Sequence, residues 1–259
     1  MSLYVKEAGD SNKPLLVFLH GGGVSGWMWD KQVRYFQDRY SILVPDLPGH
    51  GNSANVRFIS IRDTAAEIMK LIKERRNGRD LTIVGFSLGA QIALEMLGLD
   101  QATADRAVIV SGLVKPMKTT WKLLKPLTHL SMPLMKSRTF AKLQARVLYI
   151  RDEDFEFYYT NSRQMDETDL LTVLEENMSF GIPHGYTRSG ANLLVLVGGK
   201  EKKAMLESAK LLAQSHPNGT GYAIPKVGHG ISLANSDLFH RILDSWMSEQ
   251  ELPSELNPI

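Results

Sequence analysis

The sequence predicts an α/β fold with a mostly parallel sheet and helices on both of its faces. Short, nearly continuous apolar runs alternate with longer segments whose apolar residues recur at helical spacing. Strands of a parallel sheet have this character because helices bury them on both faces. Ligands in such folds bind beyond the carboxyl ends of the strands, so we expect the functional site there.

Six apolar runs are assigned to strands, and they cover residues 15–19, 42–44, 81–86, 107–110, 193–197 and 222–224. Helices are predicted for residues 61–75, 88–98, 202–214 and 238–247. In the first of these helices, Ile61, Ala65, Ile68 and Ile72 fall at helical intervals.

The alternation breaks between residues 115 and 185, in a helix-like segment rich in Met, Leu and aromatic residues. This segment falls between two predicted core strands. We therefore expect a helical cap at 115–185, inserted into a single body formed by residues 1–114 and 186–259.

The composition is typical of a soluble globular protein, with 259 residues of which 43% are apolar and 22% charged. The net charge of +2 is too small to indicate nucleic-acid binding by itself. The absence of cysteine excludes disulfides, thiolate catalysis and cysteine-based zinc sites. With no secretory signal and no apolar run of about 18 residues, we expect a cytoplasmic protein without integral membrane association. The sequence leaves the oligomeric state open.

The most informative motif is Gly85-Phe86-Ser87-Leu88-Gly89, a G-x-S-x-G sequence between a predicted strand and a predicted helix. A serine at such a junction is typical of a nucleophile elbow, whose sharp turn exposes the hydroxyl. Glycines two residues to either side allow neighbouring backbone to pack closely against the turn. Ser87 is therefore the candidate nucleophile.

A serine nucleophile needs a base, and the base needs an orienting group. His229 lies just after the last predicted strand, between two glycines, and is the candidate base. Glu201 is the first carboxylate after the strand at 193–197 and is the candidate acid. Asp105 is a weaker alternative, because it precedes its strand and so lies at the opposite end.

The sequence His20-Gly21-Gly22-Gly23 follows the first predicted strand. Glycine backbone can direct N–H groups at a ligand, and two such donors can stabilise the oxyanion of acyl transfer. The Leu88 N–H, just after the nucleophile, is expected to be one donor. Gly22 is expected to be the second, with Gly23 as the alternative, and His20 is expected to brace the loop.

Five motifs together resemble those of the α/β-hydrolase superfamily: H-G-G-G at 20–23, D-x-x-G-x-G-x-S at 46–53, G-x-S-x-G at 85–89, G-x-x-E at 198–201 and G-H at 228–229. The resemblance covers almost the whole chain. It implies an eight-stranded, mostly parallel sheet with an insertion after the sixth strand. The chain departs from the pattern at Glu201, where many relatives have Asp, and at Ala90, where many have Gly.

A serine at the elbow argues against the haloalkane dehalogenases and epoxide hydrolases of this superfamily, which carry Asp there. We expect a serine hydrolase that cleaves a small or medium carboxylic ester, thioester or lactone through an acyl-enzyme, with no cofactor and no metal. Two alternatives stay open: a carbon–carbon bond hydrolase of a vinylogous diketone, and a non-catalytic module that binds a ligand or signals.

The cap is expected to supply the walls of the substrate pocket, with Trp121, Met117, Leu124 and Met132 as candidates. These side chains suit a substrate with an apolar acyl or alcohol part. Charge is segregated in the cap. All Lys, Arg, Asp and Glu residues in 115–146 are basic ones, whereas acidic residues dominate 152–176. Pairing between these two stretches, or a solvated face, is favoured over an anionic substrate, an acyl carrier protein or a membrane surface as the explanation.

Overall fold

Eight strands form one mixed sheet in the computed structural model, which describes residues 2–130, 134 and 136–259. The strands are β1 (Val5–Ala8), β2 (Leu15–Leu19), β3 (Ser41–Pro45), β4 (Leu81–Phe86), β5 (Arg106–Val110), β6 (Asn192–Gly198), β7 (Gly219–Ile224) and β8 (Asn257–Pro258). Their spatial order is β1-β3-β2-β4-β5-β6-β7-β8. Strands β2 to β7 run parallel, while β1 and β8 pair antiparallel at the two edges. The predicted fold class is confirmed.

The body contributes the α-helices α1 (Asp30–Phe36), α2 (Ile61–Arg76), α3 (Leu88–Leu99), α8 (Lys203–Ser215), α9 (Ile231–Ala234) and α10 (Ser236–Met247). Between β5 and β6 lie α4 (Lys118–Leu130), α5 (Arg138–Val147), α6 (Phe155–Ser162) and α7 (Glu167–Ser179). Short 3-10 helices cover Gly26–Trp29, Gly51–Ser53, Asp152–Asp154 and Tyr186–Arg188. In the described part of the chain, no helix combines the length and apolar character that a membrane crossing needs.

Side chains of the central strands alternate between two hydrophobic clusters, one on each face of the sheet. In β2, Leu15, Val17 and Leu19 pack with residues of α2, α3 and α8. Leu16 and Phe18 point to the other face and pack with residues of α1 and α10. Burial on both faces explains why these strands are apolar throughout, since neither face meets water.

Because the central strands are parallel and in register, their carboxyl ends lie side by side at one end of the sheet. Phe86, the last residue of β4, is paired with Val110 of β5, which is paired in turn with Leu196 of β6. Gly198 at the end of β6 is paired with Ile224 at the end of β7. Residues that follow these strands are therefore neighbours in space although they are far apart in the sequence.

The helical insertion follows the fifth strand, not the sixth as the resemblance implied. Three strands, β6, β7 and β8, follow the insertion, and the last of them consists of two residues that pair antiparallel with β7. A two-residue edge strand has no apolar run, so the sequence pattern could not place it. The exact limits 115 and 185 of the cap stay a prediction.

Candidate active site

Ser87 occupies a strained turn between β4 and the first residue of α3. Its backbone adopts φ 53° and ψ −109°, a conformation that side-chain-bearing residues rarely hold. The neighbouring glycines make the turn possible, since a Cβ on Gly85 would collide with the carbonyl of Gly89. A Cβ on Gly89 would likewise collide with the carbonyl of Leu19 in β2. The Ser87 N–H donates to the carbonyl of Val110 at 2.9 Å, which fixes the turn to β5.

Ser87, His229 and Glu201 form one continuous chain of hydrogen bonds. The Nε2 atom of His229 lies 3.1 Å from Ser87 Oγ, and its Nδ1 atom lies 2.7 Å from Glu201 Oε2. An ionised carboxylate can only accept, so His229 carries its proton on Nδ1 and leaves Nε2 to accept from the serine hydroxyl. This is the tautomer that a general base for Ser87 requires.

The Glu201 carboxyl is almost completely enclosed, with 3% of its side chain exposed. Its Oε1 atom accepts from the Ser111 hydroxyl at 2.6 Å and from the Gly198 N–H at 3.0 Å. Burial raises the pKa of this carboxyl, but the bonds from His229, Ser111 and Gly198 together outweigh burial and hold the pKa below its ordinary value. Glu201 is therefore ionised across the neutral range and held in one orientation.

Ser111 is a contributor to the site that sequence reasoning missed. It directly follows β5, as Ser87 follows β4, and its backbone also lies in the left-handed region at φ 54°. The residue is buried, and its backbone N–H donates to the carbonyl of Leu196 at 2.8 Å. A polar residue directly after a continuous apolar strand was the signal that could have identified it.

The loop that carries His229 is braced by the cap. The hydroxyl of Tyr149 accepts a hydrogen bond from the Gly228 N–H at 2.8 Å. Gly230 packs so closely on the Leu148 carbonyl that any Cβ there would collide with it. The imidazole of His229 also contacts the ring of Phe86, with ring centroids 4.9 Å apart. Residues from the body and the cap therefore both restrain His229, the candidate base.

His20 supports the glycine loop from beneath, as expected. Its Nε2 atom accepts from the Leu47 N–H at 2.9 Å, so its Nδ1 atom carries the proton and donates to the Gly21 carbonyl at 2.8 Å. Complete burial lowers the pKa of His20 to about 4, against a smaller opposite effect of the Gly21 bond. The ring is thus neutral at neutral pH and serves as a brace for the loop.

A model of the alpha/beta hydrolase family matches residues 16–242, which is most of the chain. The protein belongs to the alpha/beta hydrolase family. Among the solved structures, a chain from work on carboxylesterases of the thaumarchaeon Nitrososphaera gargenis superposes with a TM-score of 0.80 at 16% identity. That match covers 95% of this chain and 94% of the other, and it shows the shared fold.

Two curated relatives match part of this alpha/beta hydrolase. The 30 kDa magnesium-chelatase subunit of Rhodobacter capsulatus is 35% identical over 126 residues, 44% of this chain and 43% of its own length. A pimeloyl-[acyl-carrier protein] methyl ester esterase of Methylococcus capsulatus is 34% identical over 112 residues, 43% of this chain and 41% of its own length. The matches therefore span less than half the length of either relative.

A cavity of about 260 Å³ opens beside Ser87 in this alpha/beta hydrolase. Its lining includes Leu88 and Gly22, the two expected oxyanion donors, and Gly23, the alternative to Gly22. Leu88 is the first residue of α3, so its N–H has no acceptor within the helix. The proposed nucleophile and the proposed donors thus face one space.

The cap forms the remaining walls through one face of each of three helices. The described lining residues of α5 and its end are Phe140, Ala141, Gln144 and Leu148. Those of α6 are Tyr158, Tyr159 and Ser162, and those of α7 are Leu170, Val173, Leu174 and Asn177. Lys136, Arg163 and Met165 complete the lining. The larger part of the surface that these residues present to the cavity is apolar, which suits the apolar part of a substrate.

The pocket candidates from the sequence lie elsewhere or outside the described residues. Trp121 is buried and Met117 is half-buried, and neither is among the residues described as lining the cavity. Met132 and the side chain of Leu124 lie outside the described part of the chain. The alternative acid, Asp105, lies at the amino end of β5, at the end of the strands opposite to Ser87. There its carboxylate accepts a hydrogen bond from Arg76 at 2.7 Å.

Proposed function

We propose that this alpha/beta hydrolase is a serine hydrolase that cleaves a small carboxylic ester through an acyl-enzyme. The observation that carries the proposal is the unbroken hydrogen-bond chain from Glu201 through His229 to Ser87, whose last member faces a cavity. Ion pairs with a purely structural role can also shift the pKa of a carboxylate. Such a pair has no reason to continue, through a histidine, to a serine in a strained turn beside a cavity. The esterase among the matched relatives and the carboxylesterase fold neighbour favour the same reaction class.

In the proposed mechanism, Ser87 Oγ attacks the ester carbonyl while its proton moves to His229 Nε2. The new bond makes a tetrahedral intermediate whose negative oxygen accepts from the Leu88 and Gly22 N–H groups, with Gly23 as the alternative donor. One such donor is commonly worth about 3 kcal/mol of transition-state stabilisation. Glu201 stabilises the imidazolium that this step creates.

The intermediate collapses when the bond to the leaving alcohol breaks and His229 gives its proton to that alcohol. Water then enters, loses a proton to His229 and attacks the acyl carbon. Breakage of the bond to Ser87 Oγ returns the proton to the serine and releases the acid. The residues named are sufficient to move every proton in this cycle.

The cavity supports a small substrate. Its volume of about 260 Å³ lies near the lower end for ligand pockets, and its walls are mainly apolar. A short acyl or alcohol chain fits this space. Carbon–carbon bond hydrolysis of a vinylogous diketone uses the same three residues and stays an alternative prediction, as does a non-catalytic binding module.

Turnover of a panel of p-nitrophenyl esters of increasing acyl length tests the proposal. We expect measurable hydrolysis that favours short chains, and we expect Ser87→Ala to reduce it at least about a thousandfold while leaving the thermal unfolding transition in place. Ser215→Ala is the matched control, because Ser215 lies at the end of α8, away from the site. Ser87→Ala with undiminished hydrolysis would show that another group is the nucleophile. Tight ligand binding without turnover would favour the non-catalytic alternative.

A further inference from the structure

The described lining of the cavity carries two cations and no carboxylate. Lys136 precedes α5 and Arg163 follows α6, and both line the same cavity as Ser87. The other polar lining residues of the cap are neutral: Gln144, Tyr158, Tyr159, Ser162 and Asn177. Lys136 is half-buried and Arg163 is exposed, so water screens the charge of Lys136 less than that of Arg163.

Neither cation has a carboxylate partner among the described residues, whereas some other cap cations do. Lys125 pairs with Glu175 at 2.7 Å, and Arg138 pairs with Glu156. Arg163 instead lies over the ring of Tyr159, 5.4 Å from its centroid. The acidic half of the cap therefore neutralises some of the basic half but leaves the two cations of the cavity available.

Lys136 is half-buried at the cavity wall. A cation withdrawn from water loses hydration, and an anionic ligand is the natural compensation where the protein supplies no carboxylate. The guanidinium of Arg163 presents donors that suit a carboxylate, and its stacking on Tyr159 restricts its orientation.

We propose that the natural substrate is an ester that carries an anionic group, held by Lys136 and Arg163, apart from the reacting carbonyl. This inference rests on the proposed function and narrows its substrate class to charged small esters. The anionic group could belong to the acyl part or to the alcohol part. The shared requirement is a short apolar spacer between the charge and the ester.

Binding to the Ser87→Ala protein, measured by calorimetry, tests the inference without hydrolysis. Monomethyl adipate carries the charge on the acyl side, and 4-acetoxybutanoate carries it on the alcohol side. Each is compared with its neutral methyl ester. We expect one charged ligand to bind about five- to tenfold more tightly than its neutral counterpart. That preference should fall to about twofold or less when Lys136→Met or Arg163→Gln is added.

Lys122→Met is the control, because Lys122 is an exposed cation of α4 that is not among the described lining residues. It should leave the preference for the charged ligand unchanged. Equal binding of charged and neutral ligands, or a preference that survives both cavity substitutions, would overturn the inference. Hydrolysis of neutral p-nitrophenyl esters is measured separately on the protein with Ser87 intact. Charge-dependent binding without such hydrolysis would count against the proposed function alone.

Discussion

The body and the cap of this alpha/beta hydrolase contribute to the candidate site in different ways. The body supplies Ser87, Glu201 and His229 from loops that directly follow parallel strands, so the sheet register fixes their relative positions. The cap supplies side chains from one face of each of three helices, so helix rotation and packing fix its lining. The positions of the candidate reactive groups thus depend on where the strands end, whereas the walls of the cavity depend on which face each cap helix turns toward it.

The two regions meet at a few specific contacts. Tyr149 of the cap accepts from the loop of His229, and Asn177 of α7 donates to Gln91 of α3 at 2.9 Å. If the division of labour is correct, substitutions in the body should act mainly on kcat. Substitutions in the cap lining should act mainly on substrate preference. The contact of Tyr149 with the loop of His229 should act on kcat, but more weakly than the body residues do.

Glu201→Gln should produce the largest effect on the body side of the comparison. The amide can no longer stabilise the imidazolium or select the Nδ1–H tautomer, so kcat for a p-nitrophenyl ester should fall by about three to four orders of magnitude. Glu201→Asp keeps the charge and should retain more activity than Glu201→Gln. Equal activity of the Gln and Asp variants would show that the charge of this residue is not needed.

Ser111→Gly should have a smaller effect with a distinctive pH dependence. The variant loses the hydroxyl that donates to Glu201 while glycine tolerates the positive φ, so we expect about a tenfold fall in kcat with little loss of thermal stability. Losing this bond raises the pKa of Glu201 toward its ordinary value. Activity requires the ionised carboxylate, so the acidic limb of the kcat profile should move to higher pH. An unshifted acidic limb would contradict a positioning role for Ser111.

Tyr149→Phe should have the smallest effect and tests whether the body acts independently of the cap. Losing one neutral hydrogen bond to Gly228 should lower kcat by about two- to tenfold, with little change in KM. Tyr35→Phe is the control, since that hydroxyl donates to Asp244 of α10 and neither residue is among those described as lining the cavity. No loss of kcat in Tyr149→Phe would mean that the cap contact does not orient the base.

The catalytic candidates could be placed from the sequence because each lies directly at, or within about five residues of, the carboxyl end of an apolar strand. Ser87, Glu201 and His229 required only the strand positions and the rule that parallel strand ends share an edge. The strands at 81–86 and 107–110 lie within a residue of their observed bounds. The edge strand β1 and the edge strand β8 were missed, because neither is an apolar run.

The cavity lining could not be placed in the same way, because it depends on which face of each cap helix turns toward Ser87. Trp121 was expected there on its apolar character, yet packing against the protein also buries such a side chain. The spacing of Phe140, Gln144 and Leu148 at four-residue intervals was a usable signal for a shared helix face. The sequence contains that spacing but does not say which space the face adjoins.

The predicted pairing of the two charged stretches of the cap is confirmed for Lys125 with Glu175 and for Arg138 with Glu156. Both pairs are exposed, so we expect them to contribute little to stability. Pairing does not account for Lys136 and Arg163, whose place at the cavity only the three-dimensional structure could reveal.

The most direct test of the account is the rate at which a fluorophosphonate labels the intact protein and the His229→Gln variant. Labelling requires the serine hydroxyl to lose its proton to a base as the oxygen attacks phosphorus. The labelling rate therefore reports on Ser87 and His229 without the need for a natural substrate. We expect a single label on Ser87, located by peptide mass spectrometry, and at least about a hundredfold slower labelling in His229→Gln. Equal rates in the two proteins, or a label on another residue, would contradict the claim that His229 activates Ser87.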